Sequence, residues 1–117
     1  PNYNRGVRWE RAVKLKWEQR GYTVLRTAGS HGFADLVAVQ KHCTPMFIQC
    51  KCLKTGTSKQ ADNLKRSFLE NPPLSKDLLY VQVIEIYAMK DKTKTTGATC
   101  GNSSTSALAT TSLTPHR

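Results

Sequence analysis

Asp35, Gln49 and Lys51 are the residues of this chain whose types and spacing suit chemistry. Asp35 sits in the run Ala34-Asp35-Leu36-Val37-Ala38-Val39, and Gln49-Cys50-Lys51 lies at the far end of an apolar run that begins at Met46. Between the runs stand His42, Thr44 and Pro45, so the segment reads as a β-hairpin. The midpoint between positions 35 and 49 is His42, inside the turn, which sets Asp35 opposite Gln49 in an antiparallel pair. Side chains alternate along a strand, so Gln49 and Lys51 share one face while Cys50 and Cys52 share the other. A carboxylate, an amide oxygen and an ammonium therefore converge on one patch of sheet. Oxygens of this kind hold a hard divalent cation, and a lysine beside them supports a nucleophile or developing charge. The chemistry expected is metal-assisted hydrolysis of a phosphodiester.

Elements on either side must position these groups. Residues 6–20 read as a helix, because Trp9, Val13 and Trp17 recur every four residues with Ala12 beside them. Gly21 fits its C-terminal cap. A strand follows over 22–27, then the loop Ala28-Gly29-Ser30-His31-Gly32, then the hairpin of 34–39 and 46–53. Residues 54–57 turn the chain, and Ser58 is placed to N-cap a second helix that runs to Glu70, with Ala61, Leu64, Phe68 and Leu69 on its apolar side. Asn71-Pro72-Pro73 stops it, and Leu78 to Ala88 reads as the last clear strand. The order is αβββαβ, an α/β fold with a central mixed sheet flanked by helices. The apolar residues of the second helix and last strand (Leu64, Phe68, Leu79, Val81, Val83) suit a core, and they equally suit a dimer surface.

At 117 residues the chain has room for one domain with a single modest core. Residues 1–91 are expected to form it, leaving 92–117 as a Thr/Ser-rich tail. Such a composition buries too little apolar surface to offset the entropy of ordering, so the tail is expected to be disordered, with at most a short strand near 106–113. Lys and Arg total 18 against 8 acids, a net charge of +10, which favours a polyanionic partner such as nucleic acid. No apolar run approaches a membrane span, so no membrane partner is expected and the default location is intracellular and cytoplasmic. The cysteines at 43, 50, 52 and 100 lack paired zinc-ligand spacing, and Cys50 and Cys52 suit packing as small apolar groups.

The order of elements, with Asp35 and Gln49-x-Lys51, resembles the PD-(D/E)xK nuclease superfamily and its restriction-endonuclease-like core. More closely, the chain resembles the archaeal-type Holliday junction resolvases. That likeness rests on Arg5-Gly6-x-x-x-Glu10-Arg11, Gly21-Tyr22-x-Val24-x-Arg26, Ser30, Ala34-Asp35-Leu36-Val37-Ala38 and Gln49-x-Lys51, and it covers residues 5–88. The second acidic position of the motif carries Gln49 here, which removes one negative charge from the site, and the loop between Ser30 and Asp35 is short. A Gln-x-Lys variant also occurs in Mrr-type restriction endonucleases.

The resemblance implies a structure-selective endonuclease that cuts four-way DNA junctions as a homodimer, with Mg²⁺ as cofactor (Mn²⁺ able to substitute) and no small-molecule substrate. Asp35, Gln49 and Glu10 would hold the metal, with Lys51 and Ser30 completing the catalytic set. Glu10 is one position off the Trp9–Val13–Trp17 stripe, and an i,i+4 pair with Lys14 is its competing role. Ser30 sits in a Gly/Ser loop that can reach a phosphate or be only a loop. Arg5, Arg8 and Arg26 suit phosphate contacts through their forked donors, and Lys54 adds to the positive field. Two further readings stay open: an Mrr-type restriction or repair nuclease acting on duplex DNA, and a DNA-binding module whose site has decayed at Gln49.

Overall fold

The computed structural model of the chain describes residues 2–27, 32–75 and 77–101, without the side chains of 2–4. Its elements are α1 (Asn2–Glu18), β1 (Thr23–Arg26), β2 (Leu36–Val39), β3 (Met46–Leu53), α2 (Ser58–Glu70), β4 (Val81–Ala88) and β5 (Thr93–Cys100). The strands form one mixed five-stranded sheet in chain order, β1-β2-β3-β4-β5. All neighbours are antiparallel except β3 and β4, which run parallel. A parallel pair needs a crossover long enough to bring the chain back, and α2 supplies it.

The two helices cover opposite faces. Trp9, Val13 and Trp17 of α1 pack on Val24, Leu36, Ala38, Met46, Ile48, Val81 and Val83. Ala61 of α2, with Leu64 and Phe68, packs on Ile84, Ile86 and Ala88. Being covered on both sides, β4 is buried along almost its whole length, as strands between two helical layers are. Val81, Val83, Leu64 and Phe68 are therefore core within this chain. Leu79 and Leu78 precede β4 and are exposed, so the strand begins three residues later than the apolar run suggests.

The tail expected over 92–117 needs correcting. Residues 93–100 form β5, paired along the full length of β4 from Thr93↔Ala88 to Cys100↔Val81. The Thr-rich stretch is polar, yet threonine is β-branched and suits a pleated surface once a neighbouring strand completes its ladder. Gly97 lies under α2, where an added Cβ would meet the Lys65 side chain and Ile84, so glycine permits the close approach of helix to strand. The further strand expected near 106–113 lies outside the described residues.

Smaller differences also have local causes. The second helix spans Ser58–Glu70, but its N-cap is Thr57, not Ser58. The Thr57 hydroxyl accepts from the Gln60 N–H at 3.4 Å, and Gln60 Oε1 accepts from the Thr57 N–H at 2.8 Å, a reciprocal capping box. The first helix ends at Glu18, and Gly21 takes a left-handed φ of +94° as the chain turns into β1.

Candidate active site

The site is built where β2 and β3 part. Their ladder runs Ala38↔Met46, Val37↔Phe47, Leu36↔Ile48, and one further step sets Asp35 across from Gln49. The Asp35 N–H donates to Ile48 O at 2.8 Å, and its carbonyl accepts from the Thr27 N–H at 3.0 Å. The backbone of Asp35 is thereby tied to both neighbouring segments. Its side chain then satisfies the first orphaned donor beyond the ladder: the Cys50 N–H donates to Asp35 Oδ2 at 2.8 Å. An aspartate at this position holds the mouth of the hairpin and presents a carboxylate there.

Glu10 reaches the same place from α1. Its Oε1 lies 3.3 Å from Arg26 Nε, at the end of β1. Burial pushes the Glu10 carboxyl above the ordinary glutamate range, and the negative field of Asp35 pushes it further, with Arg26 pulling the other way. The two acids are thus close enough to repel one another. The competing pairing of Glu10 with Lys14 does not form, since Lys14 Nζ binds Glu18 at 2.7 Å. Cys50 lies beside both acids. Burial, then Asp35, Glu10 and Glu85, push its thiol up, with Lys16 opposing, so it is a protonated packing group at neutral pH. All four cysteines are free thiols.

Gln49 and Lys51 register with Ile84 and Ile86 of β4, whereas Cys50 registers with Glu85. Paired residues share a face, so Gln49 and Lys51 lie on the α2 side of β3 and Cys50 on the α1 side. Neither the Gln49 nor the Lys51 side chain makes a hydrogen bond or ion pair to any described residue. Arg26 is partly committed to Glu10 but still more than half exposed. Arg5 and Arg8 line a cavity beside Trp9. Lys54 belongs to the turn after β3, beside Gly56, Gln60 and Leu64 at the start of α2. Ser30 lies outside the described residues.

Among the described residues no three side chains of His, Cys, Asp and Glu are grouped to hold a metal ion. The donors present are two mutually repelling carboxylates and the amide oxygen of Gln49, which opposes Asp35 in register. All are hard oxygens, which suits Mg²⁺ rather than zinc, and a cation between the acids would relieve their repulsion.

One residue with a strong role was not marked out by the spacing of motifs. Glu85 is 1% exposed in the middle of β4. Its carboxylate accepts from Trp17 Nε1 at 2.8 Å, Lys16 Nζ at 2.8 Å and Thr96 Oγ1 at 2.6 Å. Its backbone carbonyl accepts from Trp9 Nε1 at 3.0 Å. Glu85 therefore locks α1, the carrier of Glu10, onto the sheet. The available signal was an acid inside Val81-Gln82-Val83-Ile84-Glu85-Ile86, a run otherwise built for burial.

The chain is a strongly basic α/β domain in which Asp35 and Glu10 lie within electrostatic reach of one another, while Gln49 and Lys51 occupy the α2 side of β3. The archaeal Holliday junction resolvase (Hjc) family matches residues 1–62, more than half of the chain, and the chain belongs to this family of nucleases. The matched part carries Arg5, Arg8, Glu10, Arg26, Asp35, Gln49 and Lys51. Among solved structures the chain is similar to Hjc of Archaeoglobus fulgidus, a Holliday junction resolvase from an archaeal hyperthermophile. The two share 18% identity at a TM-score of 0.48, over 80% of this chain and 71% of that one. No curated protein matches the chain. No helix among the described residues is long and apolar enough to cross a membrane.

Proposed function

We propose that this chain is a Mg²⁺-dependent endonuclease that cuts four-way DNA junctions as a homodimer and leaves 5′-phosphates. The observation that carries the reading is the Asp35 carboxylate held by the Cys50 N–H at 2.8 Å at the mouth of the hairpin, within the segment matched by the resolvase family. Asp35, Glu10 and Gln49 would hold the cation, which supplies the positive charge that eases hydrolytic attack on phosphorus and departure of the 3′ oxygen. The chain's own groups do the positioning. The Cys50 N–H fixes one Asp35 oxygen and leaves the other for the site. Lys51, with no partner among the described residues, is available to the scissile phosphate or the attacking water. Arg5, Arg8 and Arg26 contribute phosphate contacts that orient the strand without reading its sequence.

A junction needs two symmetric nicks, and a two-fold dimer presents two identical sites. The α1-distal side of β1 and β2 offers an apolar surface for it, with Leu25 58% and Val39 39% exposed beside Val37 and Phe47. Gln49 in place of an acid favours a second reading, a binding module without cleavage. The test is cleavage of a synthetic four-way junction and a matched linear duplex with Mg²⁺, by wild type, Asp35→Ala and Lys51→Ala. Nicking of the junction by wild type alone, with binding kept in both variants, supports the proposal. Cleavage of both DNAs alike points to an Mrr-type activity. Tight, salt-sensitive binding with no cleavage in Mg²⁺ or Mn²⁺ establishes the decayed module.

A further inference from the structure

Arg5 and Arg8 of α1 and Lys94 of β5 surround a cavity of about 460 Å³ whose walls include Trp9, Tyr87 and Cys52. The two arginines are three residues apart and so stand on one side of the helix. None of the three cations has a carboxylate partner among the described residues, where the ion pairs use Lys14, Lys16 and Arg26. The wall behind them is aromatic. The rings of Trp9 and Tyr87 are 5.5 Å apart and tilted by 33°, and Lys94 Nζ stands 5.9 Å from the Trp9 ring. Tyr87 is only half-buried, so part of that wall is open to solvent.

Three unpaired cations around an aromatic wall suit a ligand with an anion at one end and a flat ring at the other. A nucleotide has that form: rings stack on aromatic side chains, and phosphate oxygens match arginine forks. The position along the sheet agrees. Cys52 lies two residues beyond Cys50 on the same face of β3, about 7 Å along the strand from the N–H that holds Asp35. The cavity therefore adjoins the candidate active site on its α1 side.

We propose that this cavity is a subsite for one unpaired nucleotide of a DNA strand, its base against the Tyr87 ring, which Trp9 backs, and its phosphate among Arg5, Arg8 and Lys94. A strand that has left the duplex can enter, whereas a base held in a stack cannot. The proposal rests on the nuclease reading for which strand supplies the nucleotide, and it extends that reading by adding a source of structure selectivity.

The experiment is binding without divalent cations, so that cleavage plays no part. Anisotropy of labelled DNA is followed for the full chain as wild type, Tyr87→Leu, Tyr87→Phe and Lys94→Gln. The DNAs are a short single strand, the same strand with abasic sites, and a duplex. Tyr87→Leu is expected to weaken the single strand by about five- to a hundredfold, as loss of one stacking platform does. Its effect on the abasic strand and the duplex is expected within about twofold, and Tyr87→Phe restores wild-type binding. Lys94→Gln is expected to lower the salt slope for the single strand by about 0.7. Equal loss on all three DNAs, or no loss on the single strand, overturns the subsite. Thymidine monophosphate competing as well as the strand overturns its assignment to DNA. Cleavage that persists while these differences are missing sinks the subsite alone; absent cleavage with the differences intact sinks the nuclease reading alone.

Discussion

Replacing Glu85 tests how the sheet holds the helix that carries Glu10. Glu85→Gln keeps the shape and an acceptor oxygen but removes the charge from bonds to Trp17, Lys16 and Thr96. A bond to a charged group contributes about 1.5–3 kcal/mol against about 0.5–1.5 kcal/mol for a neutral one. Over three bonds the loss is about 3 kcal/mol, offset in part because a buried charge no longer has to be desolvated. The net expectation is a loss of about 1–3 kcal/mol. Lys16, whose side chain is 31% exposed, can turn to water and soften the effect. Glu85→Ala also leaves the buried Trp17 indole N–H without an acceptor, which raises the loss to about 3–5 kcal/mol. At about 4 °C per kcal/mol, the alanine variant should melt about 12–20 °C lower. Both tryptophans bond to Glu85, so their fluorescence in a urea titration reports the transition directly. A Glu85→Ala variant within about 1 kcal/mol of wild type, or full additivity of Glu85→Gln with Lys16→Gln, would refute the account.

Asp35→Asn keeps an acceptor for the Cys50 N–H but not its charge, and it also removes the like charge facing Glu10, so stability is expected to fall by no more than about 1 kcal/mol while junction cleavage falls at least about 100-fold; paired melting and cleavage assays check both. Glu10 binds its proton more tightly in the folded chain than in the unfolded one, so its contribution to stability is full below the ordinary glutamate range and is lost as pH rises through the folded value. Glu10→Gln should remove that slope and match or exceed wild-type stability at pH 7 while cleavage is lost, read from urea midpoints between pH 4 and 7. Thr57→Ala should cost about 1 kcal/mol by opening the capping box, whereas Ser58→Ala, whose backbone N–H rather than side chain is held by Asp91, should be near neutral in the same titrations.

Much of the fold was legible because burial writes a period into the chain. The Trp9–Val13–Trp17 stripe is buried under α1, and β3 and α2 occupy 46–53 and 58–70 as the patterns indicate. The hairpin register followed from the turn alone, since one midpoint fixes every opposed pair. What escaped reading depends on partners distant in the chain. Thr93–Cys100 has no apolar alternation of its own, and it becomes a strand because β4 offers an open edge. Leu78 and Leu79 continue the apolar run of β4 but fall outside its ladder, so they are exposed. Glu85 read as a misfit among apolar residues, and only the arrival of Trp17, Lys16 and Thr96 from other elements explains it.

Glu85 and Glu10 also separate a structural acid from a functional one by their surroundings. Glu85 is fully enclosed and meets three donors, so burial of its charge is answered within the fold. Glu10 meets one arginine at 3.3 Å and faces Asp35, whose like charge adds to the penalty of burial. A fold selected for stability alone has no use for the second arrangement. A cation bound between Glu10 and Asp35 would relieve the like charge that adds to the burial of Glu10. Adding Mg²⁺ to the DNA-free chain should therefore raise its melting temperature, and the rise should vanish in Asp35→Ala and in Glu10→Gln. An equal rise in all three proteins would place the ion elsewhere and remove the physical basis for assigning metal chemistry to these two acids.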